Sequence, residues 1–193
     1  MYRYFSIRTL YIVKRRKLLK AGLSASGLLL AGGTTGFYLG RVEDRSILSL
    51  DVLSGKLQQL KGETLNSSGD WNPVKVFLHC AKSIEFSMIG FPVHRSSAFK
   101  NVVGTSAFST FASLGKMHHA LDEPIPGEDS LRLTDSKVTS TAAAINILLD
   151  RINAFTSYQG ELKEHFAFGK LSKDEYELAH VMHVYNHLAE IVT

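Results

Sequence analysis

Residues Ser172 to Val192 read SKDEYELAHVMHVYNHLAEIV. Ser172, Lys173, Asp174 and Glu175 form a capping box, in which the serine and the glutamate three residues later satisfy the free amides of a helix start. Behind it the apolar residues recur with a helical rather than an alternating period, so the stretch predicts the last helix of the chain. That helix carries His180, His183 and His187. At about 100° per residue, positions i, i+3 and i+7 fall within roughly 60° of one another. His183 and His187 are also i, i+4 neighbours, close enough for both imidazoles to hold one metal ion. The spacing points to a metal site on a helix and names no substrate.

The same helical period extends upstream. A short first helix is expected from about Ser46 to Leu60, followed by the polar loop KGETLNSSGD. Asn72 and Pro73 give a cap and first-turn signal for a helix through Met88. A third helix is expected from Ser97 to Leu114, rich in phenylalanine and interrupted by Gly104. The loop HHALDEPIPGEDSLRLTD contains Pro124, Pro126 and Gly127, which forbid regular helix. Asp135 or Ser136 is expected to open a fourth helix with the stripe Val138, Ala142, Ile145, Leu149, Ile152 and Phe155. Alternating β patterns are few, and internal repeats are absent. The chain reads as all-α, an up-and-down four-helix bundle over residues 46–193, preceded by an N-terminal apolar signal or anchor helix.

Residues 1–41 form that preceding unit. Lys14 to Lys20 read KRRKLLK, and the apolar, glycine-dotted run AGLSASGLLLAGGTTGFYLG follows. The pattern resembles a twin-arginine export signal, with Lys14 in place of the usual hydroxyl residue and Leu18 in place of Phe. An ordinary signal anchor with a basic flank is the plainer alternative. No good Ala-x-Ala cleavage site ends the run, and Leu18 to Leu39 has the roughly 20 residues a bilayer span needs. Both a released protein and an uncleaved anchor are therefore compatible with it. Basic residues before the span place the domain across the inner membrane, in the periplasm or anchored facing it. The twin-arginine translocation machinery is the expected partner, with the membrane itself as another if the segment stays.

This segment also accounts for the charge. The 193 residues carry a formal +4, but residues 1–41 hold eight Lys or Arg and no acid; the remainder has 14 basic against 18 acidic residues, about −4. No basic patch argues for nucleic acid. Cys80 is the only cysteine, which excludes an internal disulfide, and its apolar context favours a core position.

A third ligand must come from another helix. His79 lies in VKVFLHCAKSI, where an imidazole among apolar neighbours needs a reason. His79, His183 and His187 would make an open site for a divalent ion such as zinc or nickel. His183-x-x-x-His187 is not a zinc-protease motif, because Val184 stands where a glutamate base is required. Glu85 lies about 240° around the helix from His79, against a shared ion. His118 and His119 precede the proline-rich loop and could face the site or water; they are assigned to the loop.

Three stretches, HCAKSIEFSMIGFP (His79 to Pro92), GKMHHALDEPIPG (Gly115 to Gly127) and HFAFGKLSKDEYELAHVMHVYNHL (His165 to Leu188), closely resemble the family called domain of unknown function 1569. That family is grouped with the DinB-like metal-binding helical bundles. The resemblance implies a four-helix bundle with an open metal centre from one early histidine and a late HxxxH pair. These fall on His79, His183 and His187. His165 begins a stretch similar to the family's His-Pro-x-Phe-Gly-x-Leu, with Phe166 replacing the proline. His180 and His165 are expected to support the ligands or to form a pocket wall. The resemblance further implies a tendency to pair as a homodimer. Some relatives in the superfamily are thiol-dependent transferases or isomerases, so a metal-dependent, thiol-transferase-like enzyme is one expectation. A non-catalytic exported module that binds a metal or ligand is the second. A plain bundle whose histidines pack without metal is the third.

Overall fold

A computed structural model of the chain describes Val42, residues 44–128 and residues 137–193. The expected export segment over residues 1–41 and the expected helix start at Asp135 or Ser136 lie outside the described residues. Among them, the structure is mainly helical, with five helices of ten residues or more: α1 (Leu50–Leu60), α2 (Pro73–Ile89), α3 (Thr105–Leu114), α4 (Thr141–Ser157) and α5 (Lys173–Leu188). No described helix is long and apolar enough to cross a membrane.

Side-chain caps set the helix starts. Asn72 accepts from the Lys75 amide ahead of Pro73, as its sequence predicts. On α5 both halves of the capping box form: the Ser172 side chain accepts from Glu175 N, and Glu175 accepts from Ser172 N. Two starts differ from expectation. Ser49, not a residue near Ser46, caps α1, and Arg45–Ile47 form a separate 3-10 turn held by Asp44. Ser140 caps α4 by accepting from Ala143 N, so Val138 precedes the helix and packs on the core from outside it.

The expected third helix is three pieces: a turn at Ser97–Phe99, a π-helical stretch at Lys100–Gly104, then α3. Thr105 Oγ1 donates to Lys100 O at 3.0 Å within this irregular segment. Gly104 is required there: a Cβ on it would collide with the Ala167 carbonyl oxygen. Close backbone approach of this kind is what glycine permits. Gly115 then ends α3 in the left-handed region, with φ of 71°.

One core is shared by α1, α2, α4 and α5, through Leu53 and Leu57, Phe77 and Ile84, Ile145 and Leu148, and Val181 and Val184. Each such side chain contributes roughly 1.5–3 kcal/mol on burial. Cys80 lies in this core, as its context predicts, and burial raises its thiol pKa far above the usual range. A smaller cluster, Phe108, Met117, Ala179 and Met182, joins α3 to the other side of α5. Two short strands, β1 (Asn66–Ser67) and β2 (Ile191–Val192), pair antiparallel with Ser67 opposite Ile191. They tie the loop before α2 to the end of α5.

Candidate metal centre

A polar seam runs between α2 and α5. On α2, His79, Ser83 and Ser87 recur at i, i+4 and i+8, one face of the helix. On α5 the facing residues run in the opposite order. His79 lies against His187, with ring centroids 4.8 Å apart. Ser83 Oγ is 3.5 Å from His183 Nδ1, and Ser87 Oγ is 3.2 Å from His180 Nε2. Numbers rise on one helix as they fall on the other, so the two helices are antiparallel along this seam.

At one end of the seam His79, His183 and His187 converge, each offering a ring nitrogen within 4.8 Å of the others. His79 and His187 are buried and His183 is half-buried. Among the described residues, five of their six ring nitrogens are buried without a hydrogen-bond partner: both of His79, both of His187, and Nε2 of His183. An unsatisfied buried polar group costs about 1–3 kcal/mol. Five together rival the whole net stability of a domain, about 5–15 kcal/mol. Packing alone does not account for such a cluster, whereas a bound cation would satisfy one nitrogen on each ring. Burial, reinforced by the neighbouring imidazoles, holds His183 well below the ordinary histidine pKa and His187 at about 3. Both are therefore neutral at pH 7, the form that ligates metals.

Around the trio sit groups the sequence did not single out. Trp71, just before α2, covers it: its ring meets His79 edge-on at 5.0 Å and stacks parallel to His187 at 6.3 Å. Glu128 Oε2 stands 3.8 Å from His79 Nδ1, while its other oxygen binds Lys82 Nζ at 2.9 Å. Partial burial opposes ionisation of Glu128, but His79 and Lys82 beside it prevail and bring its pKa down to about 2. A carboxylate beside a ligating imidazole orients the ring and raises its basicity. Ser83 could have been found at i+4 from His79; Glu128 and Trp71 have no spacing signal, because loops bring them in.

His119 belongs to the loop after α3, as assigned, and its ring also faces the trio, 4.9 Å from His183 and 5.1 Å from His187. Its Nδ1 donates to Ala120 O at 2.7 Å, which leaves Nε2 with a lone pair. His118 is exposed. Glu85 pairs with Arg151 at 3.3 Å, away from any shared ion.

A cavity of about 230 Å³ opens beside the trio, lined by His79, His183 and His119 together with His165 and His180. His180 and His165 line this cavity together with His79 and His183. A larger cleft of about 500 Å³ between Tyr158 and Lys173 contains none of the histidines.

The profile of the family described as Protein of unknown function (DUF1569) matches residues 41–193. The chain belongs to the DUF1569 family. No curated protein and no solved structure matches it. Within this DUF1569 protein, the buried cluster of His79, His183 and His187 could hold a metal ion.

Proposed function

We propose that this DUF1569 protein is a metal-dependent enzyme whose divalent ion, zinc, nickel or similar, is held by His79, His183 and His187. One observation carries this reading: five buried imidazole nitrogens converge without a hydrogen-bond partner among the described residues, and two of the three rings, His79 and His183, line a cavity. When bound, the ion would supply Lewis acidity at the cavity wall and lower the pKa of a group that reached it. The chain's own residues do the rest. Ser83 fixes the His183 ring through Nδ1, Glu128 faces the Nδ1 of His79, and Trp71 keeps water from the outer side of His187.

Group transfer from a thiol is the reaction class we infer, by analogy with the DinB-like superfamily and its up-and-down bundle. In such a transfer the thiol gives its proton to solvent, and its sulfur bonds to an electrophilic carbon of the acceptor. The acceptor's leaving group departs with the bonding pair. The twin-arginine-type segment at residues 14–40 supports export, so we place the domain in the periplasm, released or anchored, and in a homodimer by the same analogy.

One observation favours a non-catalytic binding module instead. His119 has its Nδ1 committed to Ala120 O, the arrangement of a metal-ligating histidine, and faces His183 and His187. A fourth imidazole would close the shell, as in structural sites. Cobalt(II) substitution of the full chain decides between the two. The enzyme reading predicts a thiolate-to-cobalt charge-transfer band when 2-mercaptoethanol is added. A cobalt spectrum that 2-mercaptoethanol leaves unchanged would support the closed module.

A further inference from the structure

Two histidines of the cavity have no place among the ligands, yet both are more than nine-tenths buried: His165 is 8 % exposed and His180 is 3 %. Their surroundings fix which nitrogen of each carries the proton. In the turn His165–Gly169, the amides of Ala167 and Phe168 both donate to His165 Nδ1, at 3.2 and 3.1 Å. Nδ1 must therefore be the acceptor, and the proton sits on Nε2. That N–H is the ring's uncommitted polar atom, on a residue that lines the cavity. His180 is the complement. Ser87 spends its hydroxyl hydrogen on Ile84 O at 2.6 Å, so His180 Nε2 donates to Ser87 Oγ at 3.2 Å. Nδ1 of His180, a residue that also lines the cavity, keeps its lone pair.

The rest of the site holds these two rings in place. His165 stacks on Phe168 with centroids 4.4 Å apart, and both histidines pack on Tyr176. Lys100, in the π-helical stretch, binds Glu164 at 2.5 Å and anchors the turn from one side. Gly104 anchors it from the other, against Ala167. Burial keeps both imidazoles neutral, each with a pKa of about 3. Phe111, Met117, Ile125 and Phe166 give the cavity an apolar lining. Among its described lining residues the formal charges are Arg95 and Glu123, both solvent-exposed and so toward its mouth.

We propose that His165 and His180 form the recognition end of this cavity, selecting an uncharged ligand group that accepts a hydrogen bond from His165 Nε2–H and donates one to His180 Nδ1. A hydroxyl or a primary amide on an apolar body of up to about 230 Å³ meets that description. A carboxylate would face the His180 lone pair, an ammonium would face the His165 proton, and either would bring a buried charge without a counter-charge. As the substrate class of the enzyme, this rests on the metal-site reading above; as a binding specificity, it stands without the metal.

The test uses the full chain with 15N-labelled histidine, stripped of metal by chelation, and three isosteric probes: benzamide, benzoate and benzamidinium. Two-bond 1H–15N spectra report the tautomer of each of the eight histidines and the nitrogens a probe touches. The expected result is the Nε2–H tautomer for both His165 and His180. Benzamide should shift both rings with at least about tenfold higher affinity than either charged probe, as for sites built to pair with a neutral polar group. His165→Phe should lower benzamide affinity at least about tenfold while leaving zinc stoichiometry at the wild-type value. An Nδ1–H tautomer at either ring, or benzoate shifting both rings as strongly as benzamide, would overturn the proposal. Because the series is run without metal, failure to bind zinc would count against the metal site alone.

Discussion

Glu128 Oε2 lies 3.8 Å from His79 Nδ1, so a carboxylate from the loop before α4 reaches the imidazole that α2 contributes to the trio. The distance is too long for a direct hydrogen bond and short enough for the charge to act on the ring. Lys82, one turn from the histidine side of α2, holds the carboxylate there.

Glu128→Gln should therefore weaken zinc binding by about 10–100-fold, the usual effect of removing a carboxylate behind a metal-ligating histidine. Glutamine can still accept from Ile125 N, where Glu128 now accepts at 3.1 Å, so the fold should persist. A competition titration with a chromophoric chelator measures the affinity, and circular dichroism checks the fold. Unchanged affinity would show that Glu128 only serves Lys82.

Gly104→Ala places a methyl group against the Ala167 carbonyl, a backbone atom that cannot rotate away. Overpacking typically costs about 1–3 kcal/mol, and this site should be no milder. Urea unfolding of the variant should give a lower midpoint, and the His165 ring signals should move because the 165–169 turn is displaced. An unaltered midpoint would mean the π-helical stretch can shift as a unit.

Much of this arrangement is legible in the sequence, and the exceptions share a cause. The capping box at Ser172, Pro73 and the helical apolar stripes identify where most helices lie, because each is a local property of a few adjacent residues. The i, i+4 pair His183 and His187 is local too, and His79 stands out as an imidazole inside an apolar helix. The cap of α4 is hard to place from sequence because Ser140, an ordinary cap, competes with equally good residues at Asp135 and Ser136. Trp71, His119 and Glu128 reach the site from loops, whose path is set by tertiary packing and carries no period. The hydrogen bonds that fix the protons of His165 and His180 depend on turn geometry and on a serine of another helix. In the sequence the π-helical stretch shows only as Gly104, a hint of interruption without its kind.

Acid should destabilise the metal-free chain. His165 is pushed down by burial, then by His180 and His94, to about 3, from an ordinary value of 6.5; His180 falls to about 3 through burial. Between those values the unfolded chain binds protons that the folded chain refuses. Stability should be level above pH 6.5 and fall as the pH drops from there toward 3. Urea unfolding at pH 7.5, 6 and 5 measures the trend. His165→Gln should make the decline shallower, since one of the refused protons is gone. A stability independent of pH over that range would contradict the neutral, buried state of these rings.

The most direct measurement is the metal content of the full chain, purified without an affinity histidine tag, by elemental mass spectrometry, beside a variant with His183→Ala and His187→Ala. The trio predicts about one divalent ion per chain in the wild type and none in the variant. No ion in either protein after exposure to zinc, nickel and manganese, or equal metal in both, would contradict the metal centre at His79, His183 and His187.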